Sequence, residues 1–188
     1  MGYKYKRLFD IVAVLIFLLL FWWVLFIVWL VTALTSGTNG LFVQYRVGQY
    51  GKIFRIYKFK TMKNDKPTIV GYYLRRSKLD ELPQVFNILL GSMSLVGPRP
   101  DVPGYYDKLK DDDRKLLLLK PGITGPASLK YRNEEEFLSK QDNAEKYNNE
   151  IIFPDKIKIN REYQEKMSFA LDVKIIFHTI YKLIIPFD

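Results

Sequence analysis

The chain has 188 residues, a formal net charge of +9, 48% apolar and 15% aromatic residues, and no cysteine. That length supports one domain with its own core, and that composition excludes a disordered chain. Disulfides and thiolate metal sites are excluded, while the basic balance points to polyanions: nucleic acid, anionic headgroups or phosphorylated substrates.

Residues 11–34 carry no charge, and Thr32 is their one polar side chain. As a single helix the run would be ~36 Å long, against a hydrocarbon core of ~30 Å, so a membrane helix is predicted. A cleaved signal peptide fits poorly, because the run is too long and no small-x-small site follows. Basic residues flank both ends: Lys4, Lys6 and Arg7 before, and Arg46, Lys52, Arg55, Lys58, Lys60 and Lys63 after. Positive flanks stay cytoplasmic, which favours a segment returning to its own face. Residues 20–30 hold no Pro or Gly to turn the chain, so spanning and re-entry stay balanced on these grounds. Trp22, Trp23 and Trp29 suit a membrane interface.

Residues 36–40 read as a turn. Residues 41–47 and 52–60 are rich in β-branched and aromatic side chains, with Gly48 and Gly51 between them, and predict a β-hairpin. Its second arm mixes aromatics with bases; beside a membrane anchor this suits headgroups or phosphates. Residues 77–90 predict a helix stopped by Gly91. Residues 93–100 read as extended, 105–119 as a helix, 120–126 as a turn-rich loop and 134–149 as a charged, solvated helix. The last helix, 168–185, is apolar but carries Lys174 and Lys182; it suits the membrane interface or the core. The fold class is mainly α with a small β-hairpin.

The sharpest local pattern is Arg75-Arg76-Ser77-Lys78-Leu79-Asp80-Glu81-Leu82-Pro83. Ser77 and Asp80 have the spacing of a capping box, and acids and Pro suit a first helical turn. The same residues suit phosphate chemistry: arginines and a helix N-terminus hold oxygens, one carboxylate binds Mg²⁺, and the other attacks phosphorus. Spacing leaves the two readings open. Arg99, between Pro98 and Pro100, is presented from stiff backbone, which serves a site or an ordinary turn. Gly122, Thr124 and Gly125 form a loop that can offer N–H groups to phosphate, although such loops are commonly plain turns. His178, the single histidine, reads as packed or interfacial. No Walker loop, Rossmann fingerprint, Ser-His-Asp set or zinc motif is present.

Taken in order, several motifs resemble the monotopic phosphoglycosyl transferases, or bacterial sugar transferases. They are Lys6-Arg7-Leu8-Phe9-Asp10, Gln44 to Gly48, Lys58-Phe59-Lys60-Thr61-Met62, Leu79-Asp80-Glu81-Leu82-Pro83-Gln84-Val85-Phe86-Asn87, Met93-Ser94-Leu95-Val96-Gly97-Pro98-Arg99-Pro100, Pro121-Gly122-Ile123-Thr124-Gly125, Arg132-Asn133 and Leu171-Asp172-Val173-Lys174. The resemblance covers nearly the whole chain and matches the small, core-only form. It implies a re-entrant membrane helix in residues 1–36, interfacial amphipathic helices, and a catalytic domain in 37–188 at the cytoplasmic face of the bacterial inner membrane. It implies that Asp80 attacks a UDP-sugar, releases UMP and carries a covalent phospho-sugar, which then passes to undecaprenyl phosphate. Glu81 is implied as the Mg²⁺ ligand. Arg75, Arg99 and Arg132 are implied at the phosphates, with Lys58, Lys60, Pro98, Gly122 and Thr124 around the substrate. Membrane lipids are expected partners, nucleic acid is not, and self-association is left open.

The chain departs from the family pattern at Trp22-Trp23, where a Ser-Pro pair usually makes the bend. It also departs at Ser92 (usually Asp), Lys60 (usually Arg), Pro126-Ala127-Ser128 and Asn160 (usually Asp). The alternative readings are an inactive lipid-binding scaffold, a membrane-tethered nucleic-acid binder, and a one-step transferase whose carboxylates only bind metal and act as base.

Overall fold

The computed structural model describes residues 3–184, apart from the side chains of Glu135 and Ile184. Helix α1 (Lys6–Ser36) is one uninterrupted helix, ~46 Å long at 1.5 Å per residue. Its buried residues are Asp10, Val14, Leu25, Thr32 and Ser36. These spacings return to one side of a helix and define a single inward stripe. The helix is not broken at Trp22-Trp23. The backbone there is free of Pro and Gly, so nothing interrupts its hydrogen-bond ladder. Gly37 ends the helix in the left-handed region, with its N–H on the Ala33 carbonyl at 3.0 Å.

Both ends of α1 are tied to the body of the protein. At the start, Arg7 donates to the Ile88 and Leu89 carbonyls at 2.6 and 3.0 Å. Asp10 accepts from the Ser94 hydroxyl at 2.8 Å and the Leu95 N–H at 3.1 Å. Lys6 pairs with Asp172, which is fully buried and also accepts from the Tyr163 hydroxyl at 2.7 Å. At the far end, Thr32 Oγ1 bonds the Gly40 carbonyl at 3.2 Å and Trp29 Nε1 bonds the Asn39 carbonyl at 2.9 Å. The helix therefore lies along the body instead of standing off it.

After the turn at 37–40, β1 (Leu41–Val47) and β2 (Ile53–Phe59) form the antiparallel hairpin expected from their β-branched and aromatic content. A two-strand ribbon, β3 (Met62–Lys63) and β4 (Lys66–Pro67), leads to α2 (Ile69–Arg76), which Thr68 caps through the Gly71 N–H at 2.9 Å. The helix expected over 77–90 is broken into a tight 3-10 turn, Leu79–Glu81, and a short α3 (Gln84–Leu89). Lys78 sits at φ 59, and Pro83 starts α3 without an N–H of its own. The capping box is not formed: Ser77 closes α2, and its hydroxyl bonds back to Tyr73 and Leu74 carbonyls.

Strand β5 (Ser94–Val96) pairs in parallel with β6 (Gly122–Thr124), so the turn-rich loop contains a strand. Between them, the helix expected over 105–119 is two 3-10 segments, Tyr106–Lys108 and Asp111–Leu118. Next come α4 (Pro126–Lys130), α5 (Glu134–Ser139) and α6 (Ala144–Tyr147), so the charged 134–149 helix is in pieces. A π-helical turn, Asn148–Ile152, feeds α7 (Phe153–Lys166), and α8 (Phe169–Ile184) follows. The last residue of the helix expected over 168–185 lies outside the described residues.

One core, with Val14, Leu25, Ile56, Phe59, Val85, Ile88 and Met93, joins α1 to the hairpin and α3. The other gathers Val96, Tyr106, Leu116, Ile157, Tyr163 and Ile175 around α7 and α8. Opposite the stripe of α1, Leu19, Leu20, Trp22, Trp23, Phe26 and Leu34 are exposed. Near the start of α1, the Phe9 ring packs edge-on against Phe169 of α8 at 5.1 Å, and α8 exposes Phe177, Ile180 and Tyr181. An apolar surface this large on a folded chain marks contact with membrane or protein.

Candidate active site

Asp80 and Glu81 sit on the 3-10 turn between α2 and α3, at 8% and 7% exposure. The turn is tight because Lys78 is left-handed and the Glu81 and Leu82 N–H groups bond the Lys78 and Leu79 carbonyls at 3.2 Å. Both carboxylates are thereby presented together from one fixed segment.

Glu81 is held by two cations. Arg99 grips both of its oxygens, Nη2 to Oε1 at 2.6 Å and Nη1 to Oε2 at 3.2 Å. Lys58 of β2 adds a contact to Oε1 at 2.9 Å. Burial pushes the Glu81 carboxyl up, but Arg99 and Lys58 outweigh it and bring it down to about 2. Asp80 goes the other way. Burial raises it first and the Glu81 charge raises it further, against the opposing pull of Lys58, Lys78 and Arg75. Its Oδ1 is buried without a hydrogen-bond partner. One carboxylate is neutralised and fixed; its neighbour keeps an unused lone pair, the arrangement a nucleophile needs.

Asn87 (α3) aligns the hairpin with this turn. Its amide donates to the Arg55 carbonyl at 2.7 Å, and its Oδ1 accepts from the Tyr57 N–H at 3.2 Å. Ser92 supports it: its hydroxyl bonds the Asn87 carbonyl at 3.1 Å. Pro98 precedes Arg99 at the end of the β5 segment, and the Pro98 carbonyl accepts from the Gly122 N–H at 2.8 Å. A Cβ at Gly122 would lie 2.1 Å from the Gly97 nitrogen, so only glycine allows the two segments to approach this closely.

Of the residues singled out from the sequence, Asp80, Glu81, Lys58 and Arg99 come into one cluster, with Arg75 within electrostatic reach of Asp80. The others have different surroundings. Gly122 and Thr124 are in the parallel pair behind Arg99; the Gly122 N–H is spent on Pro98, and Thr124 Oγ1 meets Thr179 Oγ1 at 2.6 Å. Arg132 donates to the Lys182 carbonyl near the end of α8. Lys60 is half-buried, and its N–H bonds the Gly40 carbonyl at 2.8 Å. His178 is exposed, its Nδ1 at 2.9 Å from the Lys174 carbonyl. Of the departures, Asn160 is buried and donates to the Tyr106 hydroxyl at 2.7 Å, and Ser128 Oγ is buried without a partner.

The sequence marks Arg46 only as a basic flank and, with Asn87, as part of a motif, and gives neither these two nor Asp101 a place in the site. The Asp101 carbonyl accepts from the Val47 N–H at 2.9 Å, joining the hairpin to the Arg99 segment. Spacing carried no signal for this contact, because the partners are far apart in the chain.

The chain thus combines one helix long and apolar enough to cross a membrane with a buried carboxylate pair whose Glu81 is held by a lysine and an arginine. The chain belongs to the bacterial sugar transferase family, whose description matches residues 1–186. It is similar to the UDP-glucose:undecaprenyl-phosphate glucose-1-phosphate transferase of Escherichia coli (strain K12), 35% identical over 94% of this chain and 39% of that protein. It is similar to the undecaprenyl-phosphate galactose phosphotransferase of Salmonella typhimurium, 34% identical over 70% of this chain and 34% of that protein. It is also similar to EpsL of Bacillus subtilis (strain 168), described as an uncharacterized sugar transferase, 32% identical over 96% of this chain and 87% of that protein. The chain thus spans well under half the length of the first two relatives.

Proposed function

We propose that this protein transfers a phospho-sugar from a UDP-sugar to undecaprenyl phosphate, by way of a covalent intermediate on Asp80. The observation that carries the reading is the division of labour in the carboxylate pair. Glu81 is locked to Arg99 and Lys58, while the buried Asp80 Oδ1 is left without a partner. In the first half, an Asp80 oxygen bonds to the β-phosphorus, the bond to the bridging oxygen breaks, and UMP leaves. In the second, an oxygen of undecaprenyl phosphate bonds to the same phosphorus and Asp80 is released as carboxylate. Arg99 and Lys58 offset charge on the phosphoryl oxygens. Burial favours the chemistry, because a carboxylate stripped of water is a stronger nucleophile.

Mg²⁺ fits this site as a partner of substrate phosphate rather than as a resident of a protein cage. No cluster of three His, Cys, Asp or Glu side chains suitable for a metal occurs among the described residues. Magnesium needs only one or two carboxylates with phosphate oxygens, and Glu81 supplies one beside the nucleophile. When bound, it would neutralise charge on the diphosphate. Glu81 would hold it, its oxygens also serving Arg99 and Lys58.

The membrane posture follows from α1. The basic flanks at both of its ends, its ties to the body at both ends and the exposed apolar face between favour a helix embedded from one side. The carboxylate pair would then sit at the cytoplasmic surface, where a soluble sugar nucleotide meets a lipid acceptor.

The test is UMP release by the protein in nanodiscs with Mg²⁺, over a panel of UDP-sugars, with and without undecaprenyl phosphate. Release that Asp80→Asn abolishes supports the reading and identifies the sugar. A folded protein that releases UMP from no donor would overturn it and leave the lipid-binding scaffold.

A further inference from the structure

Arg46 lies on β1, half-buried, at the end of the hairpin nearest Arg99. Three observations place it beside the site. The next residue, Val47, donates its N–H to the Asp101 carbonyl. Val47 and Gly48 share a small cavity with Pro98 and Arg99. Pairing of Arg46 with Phe54, and of Phe42 with Lys58, puts Arg46 on the same face of the ribbon as Lys58.

Its hydrogen bonding is incomplete. Nη2 donates to Gln44 Oε1 at 2.7 Å, two residues back on the same face. Nε is buried without an acceptor. Arg46 makes no ion pair among the described residues, although Asp101 and Glu81 are within electrostatic reach and Arg99 is a like-charged neighbour. Burial lowers the Arg46 guanidinium from its ordinary value. Asp101 and Glu81 offset part of the cost of this burial while Arg99 adds to it, and the buried Nε stays open to a further acceptor. Arg99, a like-charged neighbour of Arg46, uses Nη atoms for both contacts to Glu81, and 42% of its side chain stays exposed.

We propose that Arg46, oriented by Gln44, is a second phosphate-binding arginine that closes with Arg99 on one phosphate oxyanion of the substrates. The proposal rests on the transferase reading for the substrate's identity. The fork of a guanidinium matches phosphate oxygens in pairs, which a lysine cannot do. The anion belongs either to the nucleoside diphosphate of the donor or to the lipid phosphate of the acceptor.

Binding separates these cases without catalysis. Dissociation constants for UDP and for undecaprenyl phosphate are measured on the full chain in detergent, for wild type, Arg46→Gln, Arg46→Lys and Gln44→Leu. Circular dichroism checks each fold. Arg46→Gln is expected to weaken one ligand at least tenfold, Arg46→Lys to recover only part of that loss, and Gln44→Leu to weaken the same ligand by less. Loss for UDP assigns the arginine to the donor; loss for undecaprenyl phosphate assigns it to the acceptor. Unchanged affinity for both in folded Arg46→Gln, or in Arg46→Lys should the first variant not fold, overturns the proposal. A wild type that binds UDP but turns over no donor would remove the transferase reading and leave this site standing.

Discussion

Arg99 holds both carboxylate oxygens of Glu81, a residue it meets only through the fold, because eighteen positions separate them in the chain. The contact fixes the charge of Glu81 and sets Arg99 beside Asp80. Removing it with Arg99→Ala leaves Lys58 as the one bonded cation. The expected cost is about 2 kcal/mol of stability, as for a charge-assisted hydrogen bond. Turnover is expected to fall about 10²–10³-fold, as for loss of a donor to a charged transition state. Arg99→Lys keeps the charge but not the paired geometry and is expected to fall between. Urea unfolding and UMP release read the two effects.

The same pair sets an acid limit on stability. A carboxyl whose folded value is lowered stabilises the protein above its unfolded value, ~4.3, and that contribution is lost as pH falls through the folded value. For Glu81 the window runs down from there to about 2. Stability of wild type is expected to fall across it, and Glu81→Gln to fall less over the same range. Unfolding free energies at a series of acidic pH values check this.

Asp80 has the opposite sign. Its carboxyl is raised by burial and then by Glu81, so its ionisation opposes folding. Stability from the protonated form is present below the unfolded value and is lost as pH rises through the folded one. Asp80→Asn is therefore expected to raise the melting temperature at neutral pH while removing transfer activity at least a thousandfold. The stabilisation should shrink toward acidic pH. A thermal melt at two pH values, beside an activity assay, measures both.

Much of this architecture was legible in the sequence because its causes are local. The uncharged run of α1 and the β-branched arms of the hairpin announce themselves by composition, and Asp80-Glu81 stands out as a motif. The 77–90 segment departs from the expected helix although Ser77 and Asp80 do have capping spacing. The left-handed Lys78 and the missing N–H of Pro83 won instead. The parallel β5–β6 pair was invisible because its strands are three residues each and meet across a long connection. Arg132 carries the same charge as Arg99, yet its donor goes to a helix-end carbonyl. Charge type is readable from sequence, but direction is a property of the assembled backbone.

The β5–β6 contact carries its own prediction. Gly122→Ala puts a methyl group 2.1 Å from the Gly97 nitrogen, which is backbone and cannot step aside. The strands must part and take Pro98 and Arg99 with them. Loss of several kcal/mol, about 3 or more, is expected, with lower activity in whatever stays folded. Gly104→Ala is the control: no atom lies within 4 Å, although its φ of +110 still imposes strain, of about 1–3 kcal/mol. Denaturant midpoints for the two variants test the contrast.

The central claim is that Asp80 becomes bonded to phosphorus, and intact-protein mass spectrometry tests it most directly. The protein is mixed with its UDP-sugar and Mg²⁺ in the absence of undecaprenyl phosphate, quenched in acid and weighed. A mass increase equal to one sugar phosphate, mapped to the peptide containing Asp80, absent in Asp80→Asn and discharged by added undecaprenyl phosphate, is the predicted result. UMP that appears only when undecaprenyl phosphate is present, with no adduct at any quench time, would contradict it and point to direct transfer in one step.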